Sequence, residues 1–202
     1  MSTESYQPLS WPLVLQMGPV LGRLSESEFF DFCQLNRELR IERTHDGELI
    51  IMPPAGSDSG RRNLSLAAQL WIWSQADRTG VCFDSSSGFR LPNGATRSPD
   101  AAWIKRERWD ALTSEEQEEF APLAPDFVAE LRSKTDSLRV LRAKMREYLD
   151  NGVRLGWLVD PKRQQVEVFR PGQRPERIDH PTALRGDPEL PGFVLDLRQV
   201  WS

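Results

Sequence analysis

The sequence predicts an α/β protein in which a mixed β-sheet is flanked by helices. Two observations support this prediction. Apolar strand-like runs alternate with helical segments in the order α-β-β-α, then three strands, then β-α-β-β. No internal repeat marks a second domain, and 202 residues are enough for one substantial core. We therefore divide the chain into an N-terminal arm, residues 1–20, and a single domain, residues 21–202.

The first elements are recognised by their boundary residues. The arm is rich in proline and lacks periodicity, so we expect it to lie over the core. Ser25, followed by acidic residues, is a typical N-cap and predicts a helix to about Leu39. Asp46-Gly47 between two apolar runs predicts a β-hairpin. Residues 53–60 have the composition of a loop, and the Ala/Leu/Trp-rich run 63–77 predicts a largely buried helix.

The second half alternates short strands with turns. Three strand-like runs are separated by Gly, Pro, Ser and Asn. A strongly apolar strand, a helix that ends at Asn151-Gly152, and a final hairpin follow. These elements are predicted over residues 81–83, 88–91, 100–104, 127–131, 136–149, 153–159 and 165–170.

Composition and charge indicate a cytoplasmic protein without membrane association. The net charge of −4 argues against a general polyanion binder, although a local basic face can outweigh that average. Cys33 and Cys82 have no pairing motif and are expected to be reduced thiols. The start of the chain lacks the features of a signal peptide. No apolar run approaches the ~20 residues that span a bilayer.

Two acidic residues lie in apolar strand-like runs, where an unpaired carboxylate is costly. Asp100 opens one run and Glu130 lies inside the next. Because side chains alternate along a strand, Glu130 and Arg132 share a face, and Asp100 can approach Glu130 if the two strands are neighbours. Asp126 is ~13 Å along the strand from Glu130, too far to bind the same ion. A divalent ion between Asp100 and Glu130 would satisfy both, and oxygen ligands suit Mg²⁺ or Mn²⁺.

The helix over residues 136–149 brings a lysine toward these acids. At ~100° per residue, Leu138, Leu141, Met145 and Tyr148 form one apolar stripe, and Lys144 lies on its edge. A cation there can offset the charge that develops at a phosphorus under attack. It can equally be a lysine whose stem is buried and whose amine reaches solvent.

These residues resemble a known nuclease motif. Ser98-Pro99-Asp100 followed by Glu130-Leu131-Arg132 is similar to the PD-(D/E)XK motif, with Arg132 where that motif has lysine. The chain as a whole resembles the Uma family of restriction endonuclease-like bacterial proteins over roughly Glu26 to Arg170. The resemblance is carried by residues 42–54, 125–138, 144–148 and 151–160.

The resemblance implies a restriction-endonuclease-like core that hydrolyses DNA with Mg²⁺ or Mn²⁺. Asp100 and Glu130 would bind the metal, and Glu42, which matches the family's upstream acidic residue, would complete the ligand set. Lys144 matches the family's helical lysine and would replace the one lost from the strand. Arg132 stays a candidate catalytic residue, although its planar, permanently charged group is not equivalent to lysine.

Two further expectations concern alternatives and partners. If Glu130 merely pairs with Arg132 or Lys144, the protein would instead be a non-catalytic DNA-binding or assembly module. Since cutting both strands of a duplex takes two active sites, we expect a homodimer. A basic face for DNA is predicted at Arg132, Lys134, Arg139, Arg142 and Arg146.

Overall fold

The computed structural model describes residues 12–15 and 24–202. In this part of the chain the strands are β1 Leu13–Leu15, β2 Arg40–Arg43, β3 Leu49–Met52, β4 Gly80–Asp84, β5 Phe89–Arg90, β6 Thr96–Arg97, β7 Ala101–Lys105, β8 Phe127–Leu131, β9 Leu155–Asp160, β10 Gln165–Phe169, β11 Glu176–Asp179, β12 Ala183–Arg185 and β13 Val194–Asp196. The helices are α1 Glu26–Leu35, α2 Ser57–Asp77, α3 Arg106–Trp109, α4 Ser114–Glu118, α5 Leu138–Asp150 and α6 Arg198–Trp201.

The largest sheet is the mixed sheet that the sequence predicts. Its strand order is β11-β10-β9-β8-β7-β4, and only β8 and β9 are parallel. Parallel neighbours require a crossover, and α5 provides it. β8 therefore has an antiparallel neighbour, β7, on one side and a parallel neighbour, β9, on the other, and the chain reaches β9 through α5.

Each face of this sheet is covered by a helix. Alternate residues of β7, β8 and β9, such as Trp103, Phe127 and Trp157, pack against α2 and α6. The intervening residues, such as Val128 and Leu158, pack against α5. The alternation of side chains along β8 therefore places Glu130 on the α5 side.

A second sheet carries the predicted hairpin. Its order is β1-β3-β2-β6-β5, and Gly47 takes a positive φ of 86° in the turn that joins β2 and β3. Phe29 of α1 packs on this sheet with Ile41, Leu49 and Ile51. Of the predicted arm, residues 12–15 add β1 to the edge of β3, and residues 1–11 and 16–20 lie outside the described part.

Two helix boundaries differ from the prediction by about one helical turn or more. The first helix ends at Leu35 rather than Leu39, because Asn36 leaves the helical conformation and donates a side-chain hydrogen bond to the Phe32 carbonyl. α2 begins at Ser57, so residues 57–60, predicted as loop, form its first turn. Asp58 in that turn is favoured by the positive end of the helix dipole, an effect that a composition-based loop assignment ignores. No helix in the described ranges is long and apolar enough to cross a membrane.

Candidate active site

The two predicted carboxylates lie side by side on neighbouring strands. β7 and β8 pair with Ala101 opposite Ala129, so Asp100 and Glu130 sit at adjacent positions. Both side chains are buried. Asp100 Oδ2 accepts a hydrogen bond of 2.8 Å from the backbone N–H of Leu131. The condition set by the sequence, that the two strands be neighbours, is therefore met.

Two residues that the sequence did not single out hold Asp100. Arg40 of β2 approaches its Oδ1 at 3.1 Å, and Asn63 of α2 donates to the same oxygen at 3.2 Å. Arg40 also donates to the Ser98 carbonyl. These partners are 60 and 37 residues away in the chain, so no local pattern indicates them.

Lys144 lies between two carboxylates. Its Nζ is 2.7 Å from Glu42 Oε1 and 2.7 Å from Glu130 Oε1, and only 11% of its side chain is exposed. Glu42 also accepts hydrogen bonds from Arg97 at 3.2 Å and from the Ser98 N–H at 3.0 Å. Lys144 is therefore a buried member of the site, not a lysine whose amine reaches solvent.

Tyr148 is the site residue that the sequence analysis assigned only to the apolar stripe. Its hydroxyl donates to Glu130 Oε1 at 2.9 Å, and the ring is fully buried. Lys144 Nζ stands 5.7 Å from the centre of that ring. The spacing of four residues between Lys144 and Tyr148 puts both on one side of α5. The hydroxyl of Tyr148 within the apolar stripe was the feature of the sequence that could have indicated its place in the site.

The ionisation of the cluster follows from burial and charge. Burial raises the pKa of Glu130 to about 7, against the attraction of Lys144. Burial acts in the same direction on Glu42, but Lys144 and Arg97 outweigh it and hold the pKa of Glu42 at about 2. Burial opposes charge on Lys144, and the two glutamates nevertheless raise its pKa. Burial also raises the pKa of Tyr148, which therefore remains a hydrogen-bond donor.

Arg132 does not join the cluster. Its Nη1 lies 2.7 Å from Asp160 Oδ2 on β9, and its Nε donates to the Asp136 carbonyl at 3.2 Å. The guanidinium of Arg132 therefore neutralises a buried acid on the next strand, and its part in catalysis stays a prediction. Asp126 also lies apart from the site and forms an ion pair of 2.9 Å with Arg108.

Two of the five residues of the predicted basic face lie in ion pairs. Arg142 is engaged by Glu167, with Nη2 2.5 Å from Oε1, and Arg132 is paired as described. Lys134 and Arg146 do line the cleft in front of the carboxylates. These two residues are the structure's best candidates for contacts with a polyanion at this position.

The donor set suits a magnesium-like ion held by two carboxylates. Mg²⁺ is commonly bound by one or two carboxylates and keeps several waters. Tyr148 and Lys144 both approach Glu130 at Oε1, and within the described residues no hydrogen bond reaches its Oε2. No three Asp, Glu, His or Cys side chains of residues 12–15 and 24–202 are arranged around one point. The oxygens of Glu42, like those of Asp100, have protein partners, which are Lys144, Arg97 and a backbone N–H, so its part as a third ligand stays a prediction.

The cluster forms one wall of a cleft of about 1060 Å³. The β2–β3 hairpin, the start of α2 and the exposed side of α5 supply the other walls. Eight Asp and Glu residues line the cleft, against five Lys and Arg residues. The cleft thus has an excess of negative charge, which disfavours any anion that enters without a cation.

Comparison with known proteins identifies the fold and the family. No curated protein matches the chain. A putative nuclease of the DUF820 group from Anabaena variabilis ATCC 29413 has 21% sequence identity and a TM-score of 0.68, over 80% of this chain and 89% of that one. This likeness confirms the predicted restriction-endonuclease-like α/β fold. The model of the Uma2 family, described as putative restriction endonuclease, matches residues 26–198. The chain therefore belongs to the Uma2 family.

Proposed function

We propose that the protein is a metal-dependent endonuclease that hydrolyses DNA phosphodiester bonds in this cleft. The observation that carries the proposal is the burial of Lys144 between Glu42 and Glu130, beside Asp100. Burying ionised groups costs more than well-packed apolar residues would, so such a cluster serves the fold poorly. The description of the family and of the Anabaena protein as putative nucleases supports the same reading.

Each residue of the cluster has a distinct task in this proposal. Asp100 and Glu130 would hold Mg²⁺ or Mn²⁺, an ion that polarises a phosphoryl oxygen and supplies hydroxide near neutral pH. Lys144 places a fixed positive charge beside them and stabilises the negative charge that develops on the phosphoryl oxygens. Arg40 and Asn63 orient Asp100, and Tyr148 orients Glu130.

The charge of the cleft supports the dependence on a cation. A phosphodiester that enters meets more carboxylates than basic side chains. Positive charge supplied from solution removes this repulsion. Lys134 and Arg146 line the cleft, and we expect them to contact phosphates of the bound DNA.

A cleavage assay tests the proposal. Supercoiled plasmid is incubated with the wild type, Glu130→Gln, Lys144→Met and the surface control Arg177→Ala, each checked for folding by circular dichroism. We expect cleavage with Mg²⁺ or Mn²⁺ and none with EDTA, with Lys144→Met slower by roughly 10²–10³-fold. Arg177, in an exposed pair with Asp179, should be dispensable. Equal cleavage by wild type and Glu130→Gln would reject the proposal, because it would indicate a contaminating nuclease.

The competing function is a non-catalytic DNA-binding or assembly module. It is favoured by one observation: Asp100 and Glu42 are each satisfied by protein partners at both carboxylate oxygens. Such a module would bind DNA in a salt-sensitive way, would not cleave it, and would show no binding of Mn²⁺ by calorimetry. Binding of Mn²⁺ that is lost in Glu130→Gln would argue against it.

A further inference from the structure

The outer face of α2 carries an exposed apolar stripe. Leu64, Trp71 and Ile72 are 69%, 56% and 64% exposed. The opposite face of the helix, at Leu66, Leu70 and Ser74, is buried against the large sheet. Large apolar side chains gathered on one exposed face mark an interaction surface more often than isolated ones do.

The stripe also lacks charge. Charged residues are 28% of the chain, yet residues 63–76 contain none. The nearest charges lie at the ends of α2: Asp58, Arg61 and Arg62 at the start, and Asp77 and Arg78 at the end. A strongly acidic or basic partner would therefore find no complementary charge along the stripe.

The order of side chains along the stripe is self-complementary about Ala68. Four residues before Ala68 is Leu64 and four after it is Ile72. Three before it is the small Ser65, and three after it is the large Trp71. If two α2 helices lie antiparallel with Ala68 at the crossing, Leu64 faces Ile72 of the second copy and Ser65 accommodates the other Trp71. A two-fold interface requires this kind of match of a surface with itself.

We propose that a second copy of this chain covers the stripe, with the two α2 helices antiparallel and crossing at Ala68. The small side chain at the crossing permits close approach of the two backbones. The antiparallel arrangement also places the positive end of each helix dipole beside the negative end of the other. This inference does not depend on the proposed nuclease activity.

The arrangement leaves both clefts open. Asn63, which lines the cleft, lies roughly 140° around the helix from Ala68 at ~100° per residue. Ser57 is ~16 Å along the axis from Ala68 at 1.5 Å per residue, so the starts of the two α2 helices are ~33 Å apart. The dimer therefore has one cleft at each end of the helix pair.

Sedimentation equilibrium at micromolar concentrations tests the interface. We expect a reversible dimer of micromolar affinity, because a contact of three helical turns is at the small end of specific interfaces. Ile72→Glu and Leu64→Glu should each weaken dimerisation by about 100-fold or more, since each buries a charge without a partner. The control Leu35→Glu, at an 83% exposed position on α1, should remain dimeric. A monomeric wild type, or a dimer that persists in both α2 variants, would overturn the proposal.

Disulfide trapping tests the orientation. Under mild oxidation Ala68→Cys should form a covalent dimer, because a symmetric crossing brings the two Cα atoms within the ~7 Å that a disulfide spans. Gln75→Cys should not, because its two copies would be ~21 Å apart along the axis. The wild type, whose Cys33 and Cys82 are only partly exposed, controls for other pairings. Cross-linking of Gln75→Cys without Ala68→Cys would reject the antiparallel crossing.

Discussion

Glu130 is buried, and burial opposes the ionisation of its carboxyl group. Protonation of Glu130 therefore contributes to the stability of the folded protein. Its folded-state pKa of about 7 lies above the ordinary 4.5, so the folded protein binds this proton more tightly than the unfolded chain does. The contribution of this bound proton to the free energy of unfolding is complete below pH 4.5 and is lost as the pH rises through about 7. Glu130→Gln, which mimics the neutral acid, should therefore be more stable than wild type at about pH 8, and the difference should shrink toward pH 5.

Thermal unfolding in EDTA measures this difference, and Glu42 provides a control of opposite sign. The pKa of Glu42 is lowered to about 2, so its contribution is present above 4.5 and is lost as the pH falls through about 2. Glu42→Gln should therefore destabilise the protein at neutral pH. If Glu130→Gln is instead less stable than wild type at about pH 8, the ionised form of Glu130 stabilises the fold, which contradicts the prediction.

Tyr148 is expected to act on the metal through Glu130. Tyr148→Phe removes the hydroxyl that fixes Oε1 and leaves the packing of the ring in place. Loss of a hydrogen bond that orients a metal ligand typically weakens metal binding by 10–100-fold, so we expect about 10-fold for Mn²⁺ in calorimetry. Ser74→Ala, which removes a buried hydroxyl that donates to the Gly80 carbonyl, should leave the affinity unchanged. Equal Mn²⁺ affinities in wild type and Tyr148→Phe would assign Tyr148 to the core alone.

At the scale of elements, Arg97 joins two strands of the second sheet, β6 and β2, to α5. From β6 it binds Glu42 of β2 at 3.2 Å and Glu147 of α5 at 2.6 Å, and all three side chains are largely buried. Arg97→Met leaves two acids without this partner, which should lower the free energy of unfolding by about 3–5 kcal/mol. Arg177→Ala, in an exposed pair, should change it by less than about 1 kcal/mol. Urea unfolding of both variants gives the comparison, and similar losses in the two would show that Arg97 is not a structural link.

The elements also show what the sequence could and could not predict. The apolar runs of β8 and β9 and the stripe of α5 were recognised because buried segments leave a periodic pattern. Alternation along β8 placed Glu130 on the face that α5 covers. The ion pair of Arg132 was missed because its partner, Asp160, belongs to a strand whose position beside β8 follows from the crossover and not from local spacing. Arg40 and Asn63 were missed for the same reason, since they reach Asp100 from other parts of the chain.

At the scale of the whole molecule, affinity for DNA should depend on a few basic residues at the cleft. Arg146 is exposed and lines the cleft, so Arg146→Ala should reduce the slope of log K against log salt by about 1. Arg198 of α6 is paired with Asp196 of β13, so Arg198→Ala should leave the slope unchanged. Fluorescence anisotropy with a labelled duplex in Ca²⁺ at several salt concentrations measures both. An unchanged slope in Arg146→Ala would mean that DNA binds elsewhere.

The excess of carboxylates in the cleft has a kinetic consequence. If the protein is the nuclease that we propose, repulsion between the cleft and phosphates favours an order of binding in which the ion enters first and the nucleic acid second. Under this proposal, binding of DNA to the metal-free cleft would be disfavoured even when DNA is abundant. Cleavage would add a terminal phosphate with further negative charge, which the same carboxylates would repel once the ion has left. The residues that delay entry of the substrate are therefore expected to hasten departure of the product.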